Sequence, residues 1–343
     1  MSIPFLRAAA TIAAASALPA VGWAQSSVTL FGTLDVGIAH VNGDNSSRTG
    51  LSHSGANISR IGFRGTEDLG GGLSAGFWLE SGLAPDTGLG SASGGGLAFN
   101  RRSTVSLMGP FGEIRLGRDD SATFLNTLIF DPFLTNGVGG TNAFVMNGAP
   151  IQLSNAISYF LPPNLGGFYG QVQHAAGEQL DTAPTAAGEY NGARFGWRGG
   201  AFHVSGSLAK LQGTTQALDV RIRNLGASYD FGVATPMLLW ASEKRGTVEL
   251  RATQLGVKVP VGAGEIRAQV SRYDTVGSNA DWTKVALGYG HNLSRRTQVY
   301  GAVARVHNGA GAQRAIGAQG VAASGTNLGG KSTGFDLGIR HFF

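Results

Sequence analysis

The chain has 343 residues, among them 55 glycines and no cysteine, with 42% hydrophobic residues, only 14% charged residues and a formal net charge of +5. So sparse a charge content is unlike an ordinary soluble domain, and glycine at this frequency disfavours long helices. The lack of cysteine excludes a disulfide framework and a thiolate metal site, and the lack of a G-X-Y period excludes collagen.

The chain opens with a single positive charge, Arg7, followed by an apolar stretch from Ala8 to Leu18, Pro19 and the run Gly22-Trp23-Ala24. That order predicts a secretory signal over residues 1–24, cleaved before Gln25, and leaves 25–343 as one domain. The apolar stretch is too short to span a bilayer, and no later run of 18 apolar residues offers a membrane helix. An exported chain of this kind is either a soluble β-protein or a membrane β-barrel.

From residue 28 onward apolar and polar residues alternate with period two, the mark of a strand with two different faces. Val28, Leu30, Leu34, Val36 and Ile38 share one face of the first segment, and Thr29, Phe31, Thr33 and Asp35 share the other. In the segment 59–67, Ile61 and Phe63 alternate with Arg60, Gly62, Arg64 and Thr66; in 283–293, Val285, Leu287 and Tyr289 alternate with Lys284, Ala286 and Gly288. Between such segments, short turns at 69–72, 109–112, 162–167, 198–200, 230–232, 259–264 and 292–295 alternate strictly with longer loops. The loops fall at 42–56, 84–98, 121–151, 177–189, 212–219, 244–247, 276–281 and 308–332. Fifteen connections join sixteen strands, with both ends of the chain on the short-turn side. An even strand number, short turns at one rim and long loops at the other predict an all-β fold, a closed 16-stranded antiparallel transmembrane β-barrel. The last strand alternates to the final residue: Phe335, Leu337, Ile339, His341 and Phe343 lie on one face. A sheet in lipid must pair every backbone group, so the last strand has to meet the first along its length. Tyr169, Tyr300 and Trp282 near strand ends suit an interfacial aromatic girdle.

The stretches SSVTLFGTLDVGIAHV (26–41), SRIGFRGTEDLGGGLSAGFWLESG (59–82), FNRRSTVSLMGPFGEIRLGRD (99–119), NAISYFLPPNLGGFYG (155–170), GYGHNLSRRTQVYGA (288–302) and GIRHFF (338–343) together resemble the trimeric general porins of Gram-negative outer membranes, in particular the β-proteobacterial porins. The resemblance runs through the whole mature chain. It implies an outer-membrane location, contact with outer-membrane lipid, a homotrimer, and passage of small hydrophilic solutes and ions by passive diffusion. It also implies that the ending Phe335, Leu337, Ile339 and Phe343 is read by the barrel-assembly machinery, although His341 stands where the family usually has tyrosine. Finally, it implies that the third long loop, 121–151, folds inward to form the constriction.

On the alternation, Arg60, Arg64, Arg102 and Arg115 point into the lumen, while Arg101 has lipid-side parity. The third loop opposes them with one carboxylate, Asp131, with Asp119 and Asp120 at its root. A thin acidic side resembles the anion-selective members. Gln152 stands where the strongly anion-selective pattern has arginine, which predicts a moderate preference for small inorganic or organic anions. Two or three unopposed arginines would favour anions by about one to two orders of magnitude at low salt.

A porin selective for one class of small organic anions is the alternative reading. A barrel-embedded enzyme would need a serine–histidine or aspartate–histidine grouping at a strand end; His40 and His53 have no evident partner. A plugged structural barrel is opposed by the small and polar inward set Gly62, Thr66, Ser106, Gln171, Gln173, Ala286 and Gly288. The glycine run 88–96 follows no strand–helix phosphate site, and the histidines are scattered. No enzyme activity, cofactor, metal or nucleic-acid partner is expected.

Overall fold

The computed structural model describes residues 27–180, 183 and 185–343, so the expected signal segment 1–24 lies outside the described residues. The strands are β1 (Ser27–Asn42), β2 (in two pieces, Ser47–His53 and Arg60–Gly70), β3 (Leu73–Ala84), β4 (Arg102–Gly109), β5 (Gly112–Asp120), β6 (Gln152–Phe160), β7 (Phe168–Ala175) and β8 (Tyr190–Gly199). They continue as β9 (Phe202–Leu211), β10 (Val220–Tyr229), β11 (Thr235–Arg245), β12 (Val248–Val261), β13 (Gly264–Thr275), β14 (Trp282–Asn292), β15 (Thr297–Asn308) and β16 (Lys331–Phe342). Each strand pairs antiparallel with the next, and β16 pairs with β1 from Thr33↔Phe342 to Asn42↔Thr333. The sheet is therefore a closed barrel of sixteen strands; a two-residue pairing at Leu89–Gly90 belongs to a loop.

Closure reaches the last residue. The Gly32 N–H donates to the Phe343 carbonyl at 3.1 Å, and the Phe343 N–H donates back to the Gly32 carbonyl at 3.2 Å. Deleting Phe343 removes both bonds at the rim. The expected result is a several-fold lower refolding yield, read as the fraction of heat-modifiable barrel on a denaturing gel.

The two faces differ as the period-two pattern requires. Val28, Leu30, Leu34, Ile38, Phe63, Val105, Leu107, Ile114 and Leu116 are exposed on the outside, while Thr33, Asp35, Ser106, Gln171, Gln173, Gln254 and Gln269 are buried on the inside. Turns at the short rim are tight. Gly200 and Gly262 open two of them at φ of 53° and 57°, a region that a Cβ disfavours.

Aromatic residues do ring the short-turn rim, but not the expected ones. Phe111, Phe168, Phe202, Tyr229, Phe231 and Tyr289 are exposed there. Tyr169, Tyr300 and Trp282 instead have inward parity. The Tyr300 hydroxyl donates to Asp35 at 2.5 Å, Tyr169 bonds His203 at 2.7 Å, and Trp282 stacks on Tyr273 at 4.7 Å. Nearness to a strand end does not fix the face; parity does.

The sequence predicts an uninterrupted loop over 42–56, whereas the structure carries β2 up to Ser47 and breaks it between residues 53 and 60. The cause is Asp35 on the neighbouring strand β1. Its carboxylate accepts the N–H groups of Ala56 and Asn57 at 2.8 and 2.7 Å, and Ser59 bonds its backbone. That pull draws the chain out of the ladder, with Ser54 at a φ of 63°.

The first and last long loops are latched by Asp44. Its carboxylate accepts the Thr326 hydroxyl at 2.7 Å and the Asn327 N–H at 3.2 Å, which holds its pKa below the usual carboxylate range, chiefly through Thr326. A lowered carboxylate pKa favours the latched state above the ordinary value of 3.8 and loses that contribution as pH falls through the lower one. Amide exchange at 326–331 is expected to stay slow at neutral pH and to rise below about pH 4, as read by mass spectrometry.

Candidate functional site

The third long loop begins with a helix rather than irregular chain. Ser121 caps α1 (Ala122–Ile129), its Oγ accepting the Phe124 N–H at 3.1 Å. The rest of the loop is bonded to polar inward side chains of strands around the barrel. Gln173 on β7 accepts the Ala122 N–H at 2.9 Å, and Asn126 reaches Asn224 on β10 at 2.7 Å. Glu243 on β11 accepts three loop N–H groups, from Met146, Asn147 and Ala149, at 3.1, 2.6 and 3.2 Å. Lys284 on β14 donates to the Gly140 carbonyl at 2.5 Å, and Asp336 on β16 accepts the Val138 N–H at 2.9 Å. Apolar packing accompanies these bonds: Phe130, Phe133, Val138 and Met146 bury themselves among Leu239, Leu250, Tyr273 and Trp282. At Gly226 a Cβ would collide with the Phe130 ring, so that close approach depends on glycine.

Opposite this anchored side the loop leaves a cavity of about 460 Å³ against β2–β6. Arg60, Arg102, Arg115 and Gln152 line it together, as do Phe124, Leu128 and Phe144 from the loop side and Gln319 from the last loop. Arg115 is tied to two carboxylates, Glu113 at 2.8 Å and Asp119 at 2.5 Å. Arg60 and Arg102 are held more loosely. Arg60 is 3.7 Å from Glu80 and its Nε lacks a hydrogen-bond partner among the described residues. Arg102 lies 3.6 Å from Asp119, donates to Thr104 at 3.1 Å, and places its guanidinium 4.4 Å from the Trp78 ring centre. Gln152 donates to Asp120 at 2.8 Å.

Three expectations change. Asp131 does not face the cavity. It is fully buried inside the loop, accepting N–H bonds from Phe133, Thr135 and Thr141 at 3.1, 2.8 and 2.9 Å, and burial raises its pKa despite those bonds. Arg64 lies below the cavity, toward the short-turn rim, with its guanidinium 5.3 Å from the Phe31 ring and 5.1 Å from Trp78. Arg101, given lipid-side parity, lines the cavity and bonds Glu80 at 2.7 Å. It precedes β4, where alternation no longer dictates direction.

The carboxylates facing the arginines are thus on the wall itself: Glu80, Asp119 and Asp120. Asp119 and Asp120 are readable as the root of the loop, whereas Glu80 lies in a strand whose polar parity alone signals it. With Glu113, which pairs with Arg115, and Arg64 just below included, five guanidinium groups stand against four carboxylates along this wall, one positive charge in surplus.

A closed barrel with an apolar outer band and a charged, polar interior defines a membrane channel. Residues 8–311 match the family described as Gram-negative porin. The chain is 42% identical to outer membrane porin protein 32 of Delftia acidovorans, over 93% of this chain and 95% of the relative. It is 27% identical to an outer membrane porin protein of Bordetella pertussis, again over 93% and 95%. Among solved structures, the anion-selective porin from Comamonas acidovorans superposes with a TM-score of 0.85 at 40% identity, covering 93% of this chain and 100% of that one. The chain belongs to the Gram-negative porin family: it is an outer-membrane channel and not an enzyme.

Proposed function

We propose that this porin lets small hydrophilic solutes diffuse passively across the outer membrane, with a moderate preference for anions set at the cavity between the third loop and β2–β6. The observation that carries the reading is the surplus positive charge there, with Arg60 and Arg102 only loosely paired. The name of the Comamonas relative, an anion-selective porin, supports the same sign. The third loop narrows the lumen from the opposite side, held there by its bonds to β7, β10, β11, β14 and β16. Arg115 and Gln152 act mainly by fixing Asp119 and Asp120, and Arg64 offers a further positive charge on the periplasmic side.

In the same reading residues 1–24 are removed on export and 25–343 form the mature barrel. The product is a homotrimer, and the ending Phe335, Leu337, Ile339 and Phe343 presents an apolar edge to the barrel-assembly machinery. Conductance in a planar bilayer tests the reading: the reversal potential in a potassium chloride gradient is expected to take the sign of chloride preference. A closed barrel without conductance, or a cation-signed potential, would sink it.

A further inference from the structure

Trp78 on β3 stands in both cavities of the arginine wall: the one at the third loop and a second, of about 380 Å³, on its short-turn side. It faces inward, half-buried, with a guanidinium on either side. Arg102 lies 4.4 Å and Arg64 5.1 Å from the indole ring centre. The strand register produces these contacts. Arg64 on β2 is directly opposite Trp78, and Trp78 is directly opposite Thr104 on β4, which sets Arg102 on the diagonal. Diagonal neighbours in a sheet are within reach of aromatic and long side chains. Beyond Arg64, Phe31 of β1 is opposite Gly62, again a diagonal; its ring centre is 5.3 Å from the Arg64 guanidinium and 5.0 Å from Trp78. A Cβ at Gly62 would collide with the Phe31 ring, so glycine keeps that place open. Four consecutive strands thus present ring, cation, ring and cation in turn.

These two arginines lack a close carboxylate. Arg64 makes no ion pair with a described residue, and the pair of Arg102 with Asp119 is 3.6 Å long, whereas Arg115 and Arg101 bond carboxylates at 2.8 and 2.7 Å. The choice of partner matters to a passing ion. A carboxylate holds an arginine but adds a negative charge to the wall. An aromatic face holds it through the ring quadrupole and carries no net charge. A guanidinium resting on a ring is thus kept in place while the wall stays positive toward the lumen. We infer, resting on the anion preference proposed above, that Trp78 is its positioning residue: it holds Arg64 and Arg102 one below the other without neutralising either. An anion leaving Arg102 then meets Arg64 next, along a single indole. Without that ring both side chains spread over more rotamers, and their charge lies farther on average from the ion in transit.

Selectivity and fluorescence together test this. Trp78→Leu removes the ring without changing net charge. It is expected to lower the chloride preference in a potassium chloride gradient about two- to fivefold at low salt, the equivalent of one exposed cation–π contact. Trp78→Phe keeps a ring face, gives up only the indole N–H that reaches Glu80 at 3.3 Å, and is expected to retain most of the preference. Trp197 and Trp240 have outward parity and Trp282 is 5% exposed, so among the described tryptophans Trp78 is the one that ions in the lumen reach. In the parent barrel iodide is expected to quench tryptophan fluorescence several-fold more than caesium does, relative to each ion's effect on free tryptophan. Trp78→Phe is expected to abolish that difference. A chloride preference that Trp78→Leu leaves unchanged, or that Leu and Phe lower equally, overturns the assignment. Equal quenching of the parent by the two ions also overturns it and requires no variant to fold. A cation-signed potential in the parent would instead defeat the anion preference itself.

Discussion

Replacing Arg102 with alanine is expected to bring the reversal potential in a potassium chloride gradient close to zero, and Arg102→Glu is expected to reverse its sign. The cavity wall carries a single surplus positive charge, so removing one cation leaves none. A unit charge about 7 Å from a passing ion, at an effective dielectric near 40, is worth about 1 kcal/mol, favourable to an anion and unfavourable to a cation. The two effects together give about a thirtyfold preference at low salt, and a Debye length of about 8 Å reduces it to about fourfold near physiological ionic strength. The same change at Arg101 removes the same unit charge and frees Glu80, which it bonds at 2.7 Å, so it is expected to lower the preference comparably. Permeability ratios at two salt concentrations check all three variants. An unchanged ratio in Arg102→Ala would remove this residue from the selective region.

Glu243→Ala is expected to release the far end of the third loop. Glu243 is 1% exposed and its carboxylate accepts three backbone N–H groups, which alanine leaves without a partner. Buried donors left unsatisfied cost about 1–3 kcal/mol each, so undocking gains about 3 kcal/mol or more relative to the parent. The expected readout is noisy, stepwise single-channel current with a raised mean conductance, and protease cleavage within residues 143–149 in the folded barrel. Glu243→Gln keeps an acceptor oxygen and is expected to show a smaller effect of the same kind. Quiet current and protease resistance in Glu243→Ala would show that the apolar packing of Phe130 and Phe133 suffices to hold the loop.

The barrel itself is legible because lipid on one side and water on the other impose a period of two on every strand, and because the connections alternate in length. Parity likewise assigns Arg60, Arg102 and Arg115 to the interior. What sequence reading misses lies where alternation stops or where a partner is distant. Arg101 sits one residue before a ladder begins. The break in β2 depends on Asp35, which no local pattern links to residues 54–59. Asp131 looks like a carboxylate free to face solute, and only the folded loop shows its own backbone wrapped around it. The α1 helix has a local signal, the Ser121 cap ahead of Ala122–Ile129, but eight residues at the root of a long loop are too few for a helical period to stand out. The aromatic girdle exists but is formed by other residues than Tyr169, Tyr300 and Trp282, because nearness to a strand end does not determine which face a side chain takes.

The placement of charge around the cavity has a mechanical consequence. Arginines and carboxylates both stand on or beside hydrogen-bonded strands, whereas the movable side contributes Phe124, Leu128 and Phe144. Thermal breathing of that side can widen or tighten the passage, yet it carries no ionised group toward or away from the permeating ion. Throughput and ionic discrimination are thereby entrusted to separate parts of the molecule, and one can drift during evolution while the other stays put.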